Sequence, residues 1–339
     1  MVWLWLGFLA LVFILLALDL GVFHRHAHVI GVREALGWSG FWISLGVLFS
    51  LVIYLLYQYR PWGIELGDDP LLPGAQRLTG ATAAVQYLTG YVLEKSLSMD
   101  NIFVIALIFT YFAVPRIYQH RLLFWGILGA LVMRGAMILG GIALVQRFEW
   151  ILYVFGAFLI YSAVKMLVAD ADPDPKTNLF VRLARRLMPI TDEYHGQHFV
   201  VRVEGRRMFT PIALALITVE SADVIFAVDS IPAIFAITKV PFIVFTSNVF
   251  AILGLRSLFF ALAGIMHKFH YLKVSLVLLL MVIGVKMLLR HWFERIPGKE
   301  YLTLGLVVLI LAGGVIASVI WTRRHPEAQA QEPPPGGNP

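Results

Sequence analysis

Long apolar stretches, separated by short polar segments, follow one another from the first residues of the chain to about residue 321. About 20 mostly apolar residues are enough for a helix to cross a bilayer. The first stretch has no basic leading region and no small-residue cleavage site, so we expect a retained transmembrane helix and not a signal peptide. The pattern predicts an all-α polytopic membrane protein with nine spans: residues 2–23, 40–57, 81–112, 122–148, 150–168, 211–237, 241–265, 272–289 and 301–321.

Two of these spans have polar centres. The third contains EKSLSMDN, and the sixth contains VESADVIFAVDS followed by Pro232. A carboxylate in hydrocarbon costs roughly 2.5–3.5 kcal/mol on insertion scales, and such residues mark ion paths or proton relays. Irregular backbone is tolerated at membrane depth where it lines a wet cavity, so we expect both helices to be broken or kinked. The acidic residues concerned are Glu94, Asp100, Glu220, Asp223 and Asp229.

Two parts of the chain resemble each other in the same order and at similar spacing. The matching pairs are DNIF at 100–103 with DVIF at 223–226, VP at 114–115 with 240–241, ILG at 127–129 with 252–254, and VKML at 164–167 with 285–288. Spans 3–5 and 6–8 then form two units of three helices. An odd number of crossings places the units in opposite directions, which is the inverted repeat of many secondary transporters, with the substrate site at the midplane.

The remaining segments complete the domain organisation. We expect one transmembrane domain over residues 1–325, with repeat 1 at about 81–168, a cytoplasmic loop at about 169–210, repeat 2 at about 211–289, and a disordered tail over 326–339. The loop includes RLARRLMP, which could form a short basic amphipathic helix on the membrane surface. Lys and Arg concentrate on the side of this loop, so the N-terminus should lie outside and the C-terminus in the cytoplasm, in the cell (cytoplasmic) membrane.

Composition narrows the chemistry. The chain is 59% hydrophobic and only 14% charged, whereas soluble chains are nearer a quarter charged. There is no cysteine among the 339 residues, so disulfides and thiolate metal sites are excluded. The net charge of +6 reflects basic residues in loops, which is a topology signal and does not point to nucleic acid.

The positions of the polar residues on ideal helices limit how they can meet. Glu94, Ser98 and Asn101 share a face at offsets of four and seven residues, and Glu220 and Asp223 share another. Asp100 and Asp229 point elsewhere on straight helices. Either the helices unwind near residues 96–100 and 229–232, or some carboxylates pair elsewhere, with Arg134 and Arg256 as the obvious partners.

The ligand set is made of hard oxygen donors. Five acidic residues and three basic ones, Lys95, Arg134 and Arg256, sum to −2 if all are ionised, which suits one divalent cation or the protons that replace it. Carboxylates and amide oxygens suit Mn²⁺, Mg²⁺ or Ca²⁺ and do not select among them. The predicted metal ligands are Glu94, Asp100, Asn101, Glu220, Asp223 and Asp229, with Ser96, Ser98, Ser230, Arg134, Arg256 and Asn248 in support.

Several of these residues also have a purely structural interpretation. Asp229 is as readily a structural ion pair as a ligand, and Arg134 and Arg256 are better explained as counter-charges than as ligands. Asn248 fits an interhelical hydrogen bond. The cluster His24, His26 and His28 could bind metal or sense pH, but juxtamembrane histidines are commonly interfacial, so its role stays open.

Five longer stretches carry a resemblance to a known family: EKSLSMDNIFV, PITDEYHG, FVVRVEGRRMFTP, VESADVIFAVDSIPAIFAIT and TSNVFAILGLRSLFF. Over roughly residues 29–289 the chain resembles the TerC family, close to its Alx-type members. The resemblance implies membership of the LysE-type transporter superfamily, a link to tellurium resistance, and export of manganese from the cytoplasm. It also implies that the six predicted ligands occupy the family's acidic metal-site positions.

We therefore predict a membrane transporter that exports divalent metal cations, with Mn²⁺ first among them, through a midplane site between two inverted repeats. It would have no tightly bound cofactor, no catalytic residue and no nucleic-acid partner. Its partners would be the metal ion, protons that could be coupled to its transport, and the bilayer. Metal selectivity, the coupling ion, the direction of transport and the oligomeric state are not fixed by these residues.

Two alternatives come from other classes of protein. A non-transporting metal sensor or scaffold in a stress-response complex would use the same acidic residues for binding and the 169–210 loop for docking. An intramembrane aspartyl protease would use two aspartates that share a proton. The chain lacks the GxGD sequence of such proteases and the HExxH of zinc proteases, so we expect no enzyme activity.

Overall fold

The computed structural model is almost entirely helical. It describes residues 2–21, 31–61, 78–168, 205–263 and 271–324, and in the loop between them residues 186, 189–191, 193, 194, 196 and 198–203. The described elements are α1 (Val2–Gly21), α2 (Val32–Tyr59), α3 (Gly80–Tyr111), α4 (Arg116–Arg147), α5 (Ile151–Val168), β1 (Val200–Val203), β2 (Arg206–Phe209), α6 (Pro211–Phe235), α7 (Pro241–Ile252), α8 (Leu255–Ala263), α9 (Leu272–Leu288), α10 (Arg290–Phe293) and α11 (Lys299–Arg324).

Six of the described helices are long and apolar enough to cross a membrane, namely α1, α2, α4, α5, α6 and α11, and the bent pair α7–α8 makes a seventh candidate. This agrees with the predicted all-α polytopic membrane protein. The predicted spans at 81–112 and 272–289 are not in this set. The first corresponds to α3, which is too charged at its centre because of Glu94, Lys95 and Asp100, and the second corresponds to α9, which has only 17 residues.

The two helices with polar centres begin in the same way. Thr79 precedes α3, and its side chain accepts a hydrogen bond from the Thr82 backbone N at 3.2 Å. Thr210 precedes α6 and accepts from the Ala213 N at 3.3 Å, while Pro211 occupies the first turn. Threonine caps and a proline at the start are typical of helix N-termini, because they satisfy or remove unpaired N–H groups.

Both α3 and α6 are uninterrupted from Gly80 to Tyr111 and from Pro211 to Phe235. The unwinding that was one alternative for residues 96–100 and 229–232 is therefore absent. Pro232 lies three residues before the end of α6, and its ring nitrogen has no N–H to donate to the carbonyl of residue 228.

The break lies instead between α7 and α8, which meet at 41°. Gly254 adopts φ +78°, and a Cβ there would run into the Trp42 side chain of α2, so the turn requires glycine. The Lys95 ammonium donates to the carbonyls of Ala251 at 3.0 Å and Leu253 at 3.2 Å. A cation on the last carbonyls of a helix satisfies unpaired acceptors and favours the negative end of the helix dipole.

The helix α3 lies at the centre of the bundle. It packs against α2, α6, α7, α8 and α11, and its buried residues are found on all its faces. Its first half joins an aromatic cluster in which Phe49 and Phe250 rings lie 4.4 Å apart. In contrast, α1, α2, α4 and α11 each expose large apolar side chains on one side. Glu94, near the middle of α3, is consequently fully buried.

A β-hairpin closes the described part of the loop before α6. Strands β1 and β2 pair antiparallel, and Gly205 turns the chain at φ +80°. Nearby, the Tyr194 hydroxyl donates to the Phe112 carbonyl at the end of α3, and burial raises the pKa of this phenol. The predicted basic helix at 182–189 falls mostly outside the described residues, as do His24, His26, His28 and the tail at 326–339.

Candidate functional site

Arg134 of α4 joins the two helices that carry the predicted acidic site. Its Nε and Nη2 donate to the two carboxylate oxygens of Asp223 on α6, at 3.1 and 2.8 Å. Its Nη1 forms an ion pair with Glu94 on α3. The side chains of Arg134 and Glu94 are only 2% and 0% exposed, and that of Asp223 is 16% exposed. One guanidinium therefore joins a buried carboxylate and a partly buried one from two different helices, as the sequence predicts for Arg134.

A third carboxylate lies beside this pair. Glu220 precedes Asp223 by one helical turn and lies close enough for their charges to interact. It also lies against Gly129 of α4, where a Cβ would overlap the Glu220 carboxylate. The glycine of the ILG motif thus leaves the space that the acidic side chain occupies. We call Glu94, Arg134, Glu220 and Asp223 the carboxylate cluster.

Several oxygen atoms next to the cluster lack a hydrogen-bond partner among the residues that the structure describes. Asn101 donates its Nδ2 to Asp223 Oδ1 at 3.2 Å, but its own Oδ1 is buried and unpaired. The same is true of Ser98 Oγ and Glu94 Oε2. These three residues share a face of α3, as predicted. Buried oxygens are normally hydrogen-bonded, so these acceptors are available to a donor or a cation.

A small cavity borders the cluster. It has a volume of about 30 Å³, and both Asn101 and Asp223 line it with apolar residues of α3, α4, α6 and α8. A cavity needs about 10–15 Å³ to hold a water molecule, and the polar wall supplies the partners that such a molecule needs. There is room for water or a small ion next to the carboxylates.

The other two predicted acidic ligands lie elsewhere. Asp229 accepts a hydrogen bond from Ser162 of α5 at 2.6 Å and lies within electrostatic range of Lys165. Asp100 lies within electrostatic range of Lys273, at the beginning of α9. Within the described ranges, no three His, Asp or Glu side chains are grouped closely enough to hold a metal ion. The alternative in which some carboxylates pair elsewhere therefore describes this arrangement.

The predicted supporting residues are spread over the bundle. Ser96 Oγ donates to the Val92 carbonyl at 2.7 Å, within its own helix. Asn248 donates its Nδ2 to the Val244 carbonyl at 3.2 Å. Its Oδ1, and the Oγ of Ser230, are buried and have no hydrogen-bond partner in the described part of the chain. Asn248 thus bonds within α7 and not to another helix, contrary to the interhelical interpretation.

Arg256 is not a partner of the acidic residues in α3 or α6, contrary to expectation. Its Nη2 binds the Asp19 carboxylate at 2.8 Å and the Asp19 backbone carbonyl at 3.0 Å. Asp19 was missed although it lies in the first predicted span, and the count of −2 also omits Lys165 and Lys286 in later spans. A search of every apolar stretch for single charged residues would have found all three.

The comparisons with known proteins agree with the resemblance. A family model described as "Integral membrane protein TerC family" matches residues 79–326. A protein of Myxococcus xanthus named "Uncharacterized membrane protein STKORF319" is 46% identical over 331 residues, covering 97% of this chain and 96% of the relative.

Two other relatives, from Salmonella typhi and Escherichia coli (strain K12), bear the name "Putative membrane-bound redox modulator Alx". They are 44% and 43% identical, over 91% and 95% of this chain and 91% and 96% of their own lengths. No solved structure matches the chain. The family model and these relatives, each aligned over most of the sequence, show that the chain belongs to the TerC family of integral membrane proteins.

Proposed function

We propose that this protein exports divalent metal cations, Mn²⁺ first among them, through the carboxylate cluster. The observation that carries the proposal is the burial of Glu94 and Asp223 around a single guanidinium, with Glu220 beside them. Three carboxylates and one arginine give the cluster a charge of −2 when all are ionised. That deficit suits one divalent cation, and hard oxygen donors suit Mn²⁺, Mg²⁺ and Ca²⁺.

Two cavities support a path through the site. The first borders Asn101 and Asp223. The second, of about 60 Å³, is lined by Gln86 and Thr89 of α3 and by Lys286 and Thr303. At 1.5 Å per residue, Thr89 and Asn101 are roughly 18 Å apart along α3. Glu94 lies between them, so the cluster separates one cavity from the other. Alternating access needs such an arrangement, in which the site opens to one side at a time.

Helix packing supports the inverted repeat. In the proposed repeat, α3 corresponds to α6, α4 to the broken helix α7–α8, and α5 to α9. A two-fold axis that exchanges the two units should then exchange the contacts between their helices. The helix α3 packs against α7, as α6 packs against α4, and α5 packs against α9. The threonine caps of α3 and α6 correspond as well. The proposal therefore keeps nine crossings, an outside N-terminus and a cytoplasmic C-terminus in the cell membrane, and kinship with LysE-type transporters.

The proposed substrate also bears on tellurium resistance and on the name of the relatives. Tellurite is an anion, and a cluster of charge −2 would repel it, so we infer an indirect effect through metal balance. With no cysteine in its 339 residues, this chain has no thiol for redox chemistry. A role in metal homeostasis without enzyme activity accounts for the acidic residues better than a direct redox reaction does.

One observation favours the metal sensor as the second candidate. Arg134 already occupies the carboxylates, and Asp100 and Asp229 are held by other partners. In a sensor, metal binding would displace Arg134 from these carboxylates, and that displacement would itself be the signal, with no reorientation across the membrane. In the transport proposal, Glu94, Asn101, Glu220 and Asp223 form the site, and Asp100 and Asp229 stay predicted ligands that would join in another conformation.

Net flux separates the two candidates. We would reconstitute the protein in liposomes and measure Mn²⁺ flux for the wild type and Asp223→Asn, with a pH gradient imposed and then removed. We expect flux in the wild type and none in the variant, since an amide removes both the charge and one oxygen ligand. A response to the gradient would identify protons as the coupling ion. Bound Mn²⁺ without flux in folded wild type would favour the sensor, and no binding at all would refute both.

A further inference from the structure

We propose that Arg134 is a resident counter-cation that occupies the metal position whenever the site is empty, so that metal and guanidinium exclude each other. The inference rests on the proposed transport function and adds how the site is regulated. It concerns the Arg134 side chain, which meets Glu94 and both oxygens of Asp223.

The contacts show why the two cations would compete. The guanidinium uses Nε, Nη1 and Nη2 on three carboxylate oxygens, two from Asp223 and one from Glu94. A metal ion held by this cluster needs the same oxygen atoms. The fork geometry of arginine matches a carboxylate in a bidentate manner, which a point charge such as lysine cannot do. The metal must therefore displace the arginine before it can bind both residues.

Burial explains why the empty site needs a cation of its own. Glu94 is fully buried, and a buried carboxylate that loses its only cation is strongly destabilised. Arginine stays charged at every accessible pH, so it can neutralise the cluster without taking up or releasing a proton. An empty carrier with Arg134 in place can reorient across the membrane. Without Arg134, the empty carrier would have to move bare carboxylates through a medium of low polarity.

The consequence for transport is a difference between two kinds of flux. Net export requires the empty site to reorient back to the side on which it binds metal. Exchange of one Mn²⁺ for another needs only the metal-loaded site to reorient. Loss of Arg134 should tighten metal binding, because no competitor remains. It should also slow net export, because the return step loses its counter-charge, and it should leave exchange largely intact.

Arg256 provides a matched control. It is 1% exposed, as deeply buried as Arg134, and it too binds an aspartate of another helix. Its partner Asp19 is far along the chain from the carboxylate cluster. A change at Arg256 therefore reports what the loss of a buried arginine does to folding, without the loss of a competitor for metal.

The experiment compares wild type, Arg134→Gln, Arg134→Lys and Arg256→Gln in proteoliposomes, with Mn²⁺ as the probe. Equilibrium binding, net Mn²⁺ efflux and ⁵⁴Mn²⁺/Mn²⁺ exchange are measured on the same preparations. If Arg134 leaves the site free in roughly 1–10% of the wild-type molecules, removing the arginine tightens apparent Mn²⁺ binding about 10- to 100-fold. We expect that gain in Arg134→Gln, with net efflux lost and exchange kept. Arg134→Lys should lie between this variant and the wild type, and Arg256→Gln should bind Mn²⁺ as the wild type does.

Three results would overturn the inference. In the first, folded Arg134→Gln binds Mn²⁺ no more tightly than the wild type. In the second, net efflux and exchange fall together. In the third, Arg256→Gln tightens binding as much as Arg134→Gln. Should Arg134→Gln fail to fold, Arg134→Lys decides, because unchanged binding there contradicts the competition. Absence of Mn²⁺ binding and flux in the wild type would instead refute the proposed function, so the two failures are distinguishable.

Discussion

Two buried arginines of this protein look alike in the sequence and differ in what surrounds them. Arg134 and Arg256 each follow an ILG triplet, and both are at most 2% exposed. Arg134 meets Glu94 and Asp223, with Glu220 beside them. Arg256 meets Asp19 through its carboxylate and its backbone carbonyl. Arg134 has three acidic residues around it, whereas the ion pair of Arg256 within the described part of the chain is with Asp19.

The difference separates a candidate site from an ion pair between two helices. The Arg256–Asp19 pair joins α8 to α1. The carboxylate cluster has a charge of −2 when all four side chains are ionised, and it borders a cavity of about 30 Å³. Buried oxygens of Glu94, and of Ser98 and Asn101 next to the cluster, have no hydrogen-bond partner among the described residues. These are the features that the proposed cation site would use.

The largest effects are expected when one acidic residue is neutralised in the carboxylate cluster and, for comparison, one in the Arg256–Asp19 pair. We expect Glu94→Gln to lower Mn²⁺ flux by roughly a hundredfold, since the amide removes a charge and an oxygen ligand of the proposed site, and metal sites lose about 10- to 100-fold even when an outer partner of a ligand is removed. We expect Asp19→Asn to lower thermal stability by about 3 kcal/mol but to leave flux per folded molecule within about threefold. Flux in liposomes and thermal unfolding in detergent measure the two effects.

Double variants separate stability from transport. Asp19→Asn with Arg256→Gln replaces a charge pair by two neutral amides, and we expect it to recover stability relative to Asp19→Asn alone. Glu94→Gln with Arg134→Gln should recover stability in the same way and still carry no net flux. Recovery of flux in the second double variant would show that the cluster is only a structural ion pair.

A glycine pair on α4 tests the space around Glu220. A methyl group at Gly129 would overlap the Glu220 carboxylate, whereas nothing lies within 4 Å of a Cβ at Gly140. A Cβ at Gly129 would force the Glu220 carboxylate to move, so we expect Gly129→Ala to lower flux several-fold by displacing a proposed ligand, at a cost of no more than about 1 kcal/mol of stability. Gly140→Ala should be neutral or slightly stabilising, because alanine favours a helix. Equal flux in both variants would mean that Glu220 takes no part in the site.

Much of the site was accessible from the sequence because helical periodicity is a local property. The spacing of Glu94, Ser98 and Asn101 places them on one face of α3, and the structure shows this face turned toward Asp223. The pairing of Arg134 with intramembrane carboxylates is likewise confirmed. Apolar stretches of about 20 residues also gave the class of fold, because a bilayer sets the length of a helix that crosses it.

What the sequence did not give depends on contacts between distant parts of the chain. The helices α3 and α6 continue through their polar centres, and the chain breaks at Gly254, where Trp42 approaches the backbone and Lys95 binds the free carbonyls. No local pattern predicts that a lysine 158 positions earlier will donate a hydrogen bond to the Leu253 carbonyl. The choice of Asp19 by Arg256 spans 237 positions and is equally hidden.

The smallest effect is expected at Asp229, and it decides how many of the predicted ligands belong to one site. Asp229 binds Ser162 and lies near Lys165, away from Arg134. Asparagine can still accept the Ser162 hydrogen bond, so Asp229→Asn should change Mn²⁺ flux by less than about threefold, and Ser162→Ala should cost only about 1 kcal/mol of stability. A loss of flux as large as that of Glu94→Gln would instead show that Asp229 leaves Ser162 and joins the carboxylate cluster during transport. The comparison would then extend beyond the two buried arginines, because a fourth acidic residue would exchange its structural partner for the metal.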